Sequence, residues 1–370
     1  MGATPLNDEL ASIAETNGID RIGFCTAEVF EEVRRTLHTR KAEGLSADMQ
    51  FTYRNPDRST DPSRAVAGAR SIVVAAKSYR RAPRPDSATT VGSAEIAQYV
   101  WEPYYRELGV VLDQIADHLK SLGWKARVLV DDNALVDRAA AYRAGIGWWG
   151  KNSNILIPGV GSRFVIGSVV TDASLVPNSE PLGDQCGSCR RCIDVCPTDA
   201  IVADGVIDSN RCLAWLVQSD GVFPREHRRA LGGRIYGCDD CQTSCPPNVI
   251  SDRADAPAIT TGSSSAPVEE LLTLDDAALM ERFGAWYIPR REPRYLRRNA
   301  LVVLANIGDP AQPGVRKLIE RYVRSTDEIE RTHAIWAANE LDYGDLIPHV
   351  GAESSQMVRD ELLAMGRRPQ

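Results

Sequence analysis

The chain has 370 residues, with 43 Lys and Arg against 50 Asp and Glu, a formal charge of −7, 43% hydrophobic and 25% charged residues. That balance excludes wholesale disorder and leaves apolar residues for more than one core. No run of about 18 apolar residues occurs, so no membrane-crossing helix is predicted. Met1–Pro5 shows neither the basic patch nor the apolar stretch of a secretory signal, and a cytoplasmic protein is the expectation.

Residues 1–175 read as a mixed α/β domain. A helix is predicted from Leu6 to Asn17, a short strand over Arg21–Cys25, and a buried strand over Ser71–Ala76. Leu108, Val111, Leu112, Ile115 and Leu119 recur at helical spacing, and Gly123 supplies that helix's stop. Strands at Ala126–Val130 and Phe164–Val170 bracket a helix from Ala134 to Ala144 that Gly145 ends. From 176 to 250 the chain is rich in Cys, Asp, Gly and Arg with little periodicity, which suits a fold organised by metal. Residues 251–267 are small, polar and aperiodic, and read as a linker. In 268–370, Arg297–Ala305 and Arg331–Asn339 repeat one helical theme at a period of 34. Stacked helix pairs of the HEAT type would give that period, and so would an ordinary helical bundle.

Of 9 cysteines, all but Cys25 lie between Cys186 and Cys245. An odd, clustered set argues for metal ligation over a disulfide framework. Cys186, Cys189, Cys192 and Cys196 with Pro197 form the C-x2-C-x2-C-x3-C-P run of bacterial ferredoxins, in which the fourth cysteine serves the other cluster. Cys238, Cys241 and Cys245 with Pro246 form a shortened second run, and Cys212 upstream supplies its missing member. By that crossover, one [4Fe-4S] cluster takes Cys186, Cys189, Cys192 and Cys245. The other takes Cys196, Cys212, Cys238 and Cys241. Two structural zinc sites are the alternative, since C-x2-C pairs also serve zinc. Cys25 is expected to be a buried apolar residue.

No Gly-x-Gly-x-x-Gly follows a strand, no phosphate-binding loop is present, and the five histidines are scattered. The densest polar stretch runs from Val130 to Arg138 and on through Gly145–Asn152. Asp131 sits at the end of a strand, where it could act as a proton donor, or Asp131 or Asp132 could simply cap the following helix. The glycines and tryptophans before Lys151 could form a flat shelf for a planar cofactor, or could be core.

On these residues the chain resembles the epoxyqueuosine reductase family. The colinear matches are Val130–Arg138, Ala144–Trp148, Gly150-Lys151, Gly161-Ser162, Cys186–Pro197, Arg211-Cys212 and, most specific, Arg234–Gln242 with Cys245, Pro246 and Asn248. The sequence departs from the family pattern at Tyr99–Arg106, Val217–Ser219 and Gly284–Ile288. The resemblance implies an α+β multidomain oxidoreductase. Its parts would be a corrinoid-binding α/β catalytic domain (1–175), a ferredoxin-like two-cluster domain (176–250), a linker (251–267) and a HEAT-like helical domain (268–370). It would reduce epoxyqueuosine at a tRNA wobble position to queuosine, passing electrons through two [4Fe-4S] clusters to cobalamin. Asp131 would be the proton donor, and Arg138, Lys151, Asn152, Ser162 and Tyr105 would contact the cofactor.

Partners implied are the tRNA anticodon arm and an external electron donor such as a flavodoxin or ferredoxin system, with the chain a monomer. Arg290, Arg291, Arg294, Arg297 and Arg298 cluster near Trp286, Tyr287 and Tyr295 and would contact RNA; alternatively they are a solvated helix face. A cobalamin-dependent reductase with another substrate, and a bare electron-transfer protein, are the other readings.

Overall fold

The computed structural model describes residues 5–82, 91–177, 180–252 and 256–367. They form two compact units that do not follow chain order. The first comprises 1–82, 98–210 and 239–262; the second comprises 83–97, 211–238 and 263–370.

The first unit is built on a four-stranded sheet in the order Arg21–Thr26, Ser71–Ser78, Phe164–Thr171, Ala126–Val130. Every neighbouring pair is antiparallel. The unit is thus α+β in kind, which corrects the α/β expectation. Helices and strands do alternate along the chain, but none of the connections is a crossover between parallel neighbours. The rule that places ligands at the carboxyl ends of parallel strands therefore gives no support to Asp131.

Side chains alternate across this sheet with a period of two. Ile72, Val74, Ala76, Leu129, Ile166 and Val170 face the helix Asp137–Arg143 and its Ala139–Ala141. Val73, Ala75, Val165 and Val169 face Leu10, Leu108, Leu112 and Ile115 on the helices Pro5–Thr16 and Tyr104–Ser121. Each such large aliphatic side chain contributes about 1.5–3 kcal/mol on burial. Small residues let the shorter helix approach the sheet closely. A Cβ added to Gly23 would lie 2.6 Å from the Ala144 carbonyl oxygen.

The second unit holds a three-stranded sheet with Ser93–Ile96 in the middle, parallel to Arg234–Tyr236 and antiparallel to Ser265–Pro267. Its C-terminal part is helical: Arg294–Ile307, Pro313–Val323, Glu328–Glu340 and Gln356–Ala364. The first and third of these, which carry the repeated theme, pack against each other through buried segments at Ala300–Leu304 and Ala334–Ala338.

The stretch read as a linker is structured at both described ends. Ser265–Pro267 is a strand, and in the first unit the Thr260 and Thr261 amides donate to Glu102 Oε1 at 2.6 and 3.2 Å. Small polar residues have few apolar contacts to offer, so backbone hydrogen bonds to distant partners order this segment. Among the described residues no helix is long and apolar enough to cross a membrane.

Candidate metal centre and active site

In the first unit, the short helix Arg191–Asp194 carries Cys192, and Cys245 precedes the helix Pro246–Ser251, whose first position is a proline. The Cys189 amide donates to the Cys186 carbonyl at 3.0 Å, closing the C-x2-C turn. Cys186, Cys189, Cys192 and Cys245 are mutual neighbours. Burial, then Cys192, Cys186 and Cys189, push the Cys245 thiol up to about 11. Burial, then Cys186 and Cys189, likewise raise Cys192.

Four crowded thiols resist ionising unless a cation offsets their repulsion, and an iron–sulfur core does that. The donor set fits such a core. Trp148 and Leu156 pack with Cys245 and Cys186 and shield that side from water. Among the described residues no three His, Cys, Asp or Glu form a site for a single metal ion.

Of the other four cysteines, Cys196 accepts the Ala200 amide on its Sγ at 3.2 Å, and Cys241 accepts a hydrogen bond on its carbonyl from Asn152 Nδ2 at 3.2 Å. Cys212 and Cys238 lie in the second unit. Cys212 immediately precedes the helix Leu213–Leu216, and Cys238 follows Gly237, whose φ is +74°. Cys25 is buried, its thiol raised to about 12 by that burial.

Asp131 follows the strand Ala126–Val130 in a left-handed conformation, φ +50°. For a non-glycine residue that costs of order 1 kcal/mol, and such strain concentrates at functional sites. Local turn bonding falls to Asp132. Its Oδ1 accepts the Ala134 amide at 2.8 Å and its Oδ2 accepts from Arg127 at 3.4 Å. The following helix starts at Asp137 with Val136 before it and no side-chain cap. Asp131 is therefore not a capping residue.

The Asp131 side chain reaches solvent, yet enough protein surrounds the carboxyl that desolvation, then the charge of Asp132, raises its pKa. Sequence reasoning passed over Asp137, whose Oδ1 is sealed from solvent with no hydrogen-bond partner among the described residues. A carboxyl opening a helix six residues after Asp131 was the available signal.

The residues expected around a cofactor divide by what they do. Arg138 is exposed, donating to the Ser153 carbonyl at 3.4 Å. Lys151 pairs with Asp204 at 3.0 Å. Asn152 and Ser162 are buried and tie the cysteine segment down. Ser162 donates its amide to Asn248 Oδ1 at 2.7 Å and its hydroxyl to Gln242 Oε1 at 2.9 Å. A Cβ on Gly161 would lie 1.9 Å from Asn248 Oδ1, so only glycine admits this approach. Tyr105 is half-buried against the helix-facing core. Trp148 is core, whereas Trp149 is exposed.

The five arginines between 290 and 298 do not form one basic face. Arg298 is fully buried, donating to the carbonyls of Ser219, Gly221 and Leu216 and to Asn299 Oδ1. The expectation that it contacts RNA is corrected: its donors are used inside the fold. Arg297 is mostly buried between Asp276 and Glu330. Arg294 is held by Glu292 and Asp327. Arg290 and Arg291 are exposed, each at positive φ (51° and 60°). Arg290 pairs with Asp220, and Arg291 donates to the Gly284 carbonyl. Beside them Tyr287 is 56% exposed, its amide donating to the Tyr236 hydroxyl at 2.8 Å, while the Tyr236 ring stacks on Trp286.

Residues 185–248 match the profile of the 4Fe-4S double cluster binding domain. Epoxyqueuosine reductase of Bacillus anthracis is 32% identical over 372 residues, covering 98% of this chain and 95% of that protein. The Bacillus subtilis enzyme of that name is 33% identical over 349 residues, covering 92% and 89%. Among solved structures, an epoxyqueuosine reductase crystallised with an epoxyqueuosine-modified tRNA-Tyr stem loop superposes with a TM-score of 0.86 at 28% identity, over 97% of each chain. That of Streptococcus thermophilus gives 0.86 at 28%, over 98% of each.

Proposed function

The chain belongs to the epoxyqueuosine reductase family, and on that premise we propose that it is the oxidoreductase that converts epoxyqueuosine in tRNA to queuosine. Asp131 carries the reading. It is a solvent-reaching carboxyl with a raised pKa, held left-handed at a strand end and tied by no hydrogen bond to another described residue. Such a group can keep a proton and deliver it to an epoxide oxygen.

Two [4Fe-4S] clusters and a cobalamin would supply the single electrons and the carbon-directed metal chemistry. The thiols of Cys186, Cys189, Cys192 and Cys245 would hold one cluster; the cysteine spacing assigns Cys196, Cys212, Cys238 and Cys241 to the other. Asn152 and Ser162 would set the cysteine segment against the cobalamin site, with Arg138, Lys151 and Tyr105 along it. The C-terminal helices would form a HEAT-like domain. Arg290 and Arg291, with Tyr287 to stack on a base, would meet the anticodon arm. A low-potential flavodoxin or ferredoxin would feed the clusters.

The test is anaerobic turnover of an epoxyqueuosine-bearing stem loop by the cofactor-loaded protein, read as loss of one oxygen atom from the nucleoside. Wild type should react. Asp131→Asn should bind the stem loop equally and react at least about 100-fold more slowly, the usual contribution of a general acid. Undiminished turnover by Asp131→Asn would remove the assignment.

A further inference from the structure

Arg290 and Arg291, the proposed RNA contacts on which this inference rests, are held in different ways. Arg291 donates to a neutral group, the Gly284 carbonyl, whereas Arg290 is paired with the Asp220 carboxylate. Both members of that pair reach solvent: the Arg290 side chain is 65% exposed and that of Asp220 37%.

Asp220 is held in place by the fold beneath it. One nitrogen of Arg298 donates to the carbonyls on either side of it, Ser219 at 2.8 Å and Gly221 at 2.9 Å. Asn299 Nδ2 donates to the Val217 carbonyl at 2.8 Å, and the Phe223 amide donates to His333 Nε2 at 3.1 Å. Three buried side chains thus share the hold on the loop 217–223. The turn opposite is fixed as well. The Arg291 amide donates to the Ile288 carbonyl and the Glu292 amide to the Pro289 carbonyl, both at 3.0 Å. Left-handed backbone at two successive non-glycine residues is costly and persists only where its surroundings impose it.

Two ordered segments therefore present a carboxylate and a guanidinium to each other at the surface. A carboxylate and a phosphate satisfy a guanidinium in the same way, with anionic oxygens on its N–H donors. We propose that Asp220 is a built-in competitor for the RNA backbone: its carboxylate occupies Arg290 in the free protein, and a phosphate displaces it when RNA binds. The displaced carboxylate cannot follow the arginine, because its loop is anchored from below. Every RNA then binds more weakly by what the pair is worth. An RNA offering one phosphate gains little from Arg290, and one that also reaches Arg291 and stacks on Tyr287 binds on the sum.

Stem-loop affinity tests this, measured at several salt concentrations with the full cofactor-loaded chain. Asp220→Asn keeps the shape of the side chain and removes its charge. It should bind the stem loop about two- to fivefold more tightly at low salt, the usual worth of an exposed ion pair. The gain should shrink as salt rises. In an Arg290→Ala background the same substitution should gain less than half as much, since only general repulsion remains to be relieved. An equal gain in both backgrounds would show general repulsion alone and overturn the exchange. Weaker binding by Arg290→Ala, with no gain from Asp220→Asn, would overturn the exchange and leave the RNA contact standing. Wild-type affinity in Arg290→Ala would overturn both. Should Asp220→Asn lower Tm, Asp220→Ser removes the same charge and must show the same gain.

Discussion

Arg298 and Arg290 look alike in the sequence and are opposites in the structure, and substituting each gives a sharp test. Arg298→Met keeps most of the apolar stem and removes the guanidinium. Two carbonyls then lose their donor, Ser219 at 2.8 Å and Gly221 at 2.9 Å, while that of Leu216, 3.1 Å from the guanidinium, keeps the Ser219 hydroxyl at 2.9 Å. Asn299 Oδ1, which accepts from Arg298 at 2.9 Å, loses one too. Each stranded buried acceptor costs about 1–3 kcal/mol. Relief from desolvating a cation offsets part of that. A net loss of about 3–5 kcal/mol is expected.

For a unit of this size that is a fall of roughly 6–20 °C in Tm. Thermal unfolding followed by circular dichroism would read it, with stem-loop affinity measured well below the transition. The affinity of the folded protein and its salt dependence should not change. A Tm within a degree or two of wild type, with weaker RNA binding and a flatter salt dependence, would refute the burial reasoning and return Arg298 to the RNA surface.

Arg290→Ala with Arg291→Ala should leave Tm nearly unchanged and weaken stem-loop binding. The slope of log affinity against log salt should fall by about 1 for each phosphate no longer neutralised; titrations at several salt concentrations measure this. Cys245→Ser should lower bound iron from about eight to about four per chain, as one of two four-iron clusters is lost, read by iron analysis of the anaerobically loaded protein. Glu102→Gln should loosen the segment around Thr260. Buried but bound by Thr260, Thr261 and Arg81, Glu102 has its pKa lowered to about 2 from an ordinary 4.5. Its folded pKa lies below its unfolded one, so its stabilisation is complete above about 4.5 and lost as pH falls through about 2. The Tm gap between wild type and Glu102→Gln should therefore be widest near neutrality and close toward pH 2.

The cysteine runs were legible because their spacing is itself the chemistry: short covalent loops leave few ways for Cys186, Cys189 and Cys192 to point. Asp131 was legible as a residue of a matched segment, though the sequence left open whether it caps a helix. Only the turn bonds made by Asp132 and the helix start at Asp137 set the capping role aside. The antiparallel order of the sheet was not legible. Strand pairing between Arg21–Thr26 and Ser71–Ser78 joins segments far apart in sequence, and local periodicity carries no direction for such pairs. The order within the stretch 251–267 was not legible for the same reason, although the chain does pass from one unit to the other inside it. What orders Thr260 is a carboxylate at Glu102, and what orders Ser265–Pro267 is a strand at Ser93–Ile96.

Charge was the least legible property. A count of arginines between 290 and 298 suggests a basic surface, but each side chain's value depends on which side of the helix it leaves. The signal was present in the apolar run Ala300–Leu304. A helix that apolar is buried nearly all round, so an arginine within one turn of that run has to enter the core with it. Once there, Arg298 must find carbonyls or unfold the unit, and the loop 216–221 supplies them. Arg290 and Arg291 precede the helix Arg294–Ile307, on a left-handed turn that keeps them outside. The same cation thus builds the fold at one end of a nine-residue stretch and stays on the surface at the other. Position relative to the apolar run, rather than the number of charges, decides which arginines an RNA could reach.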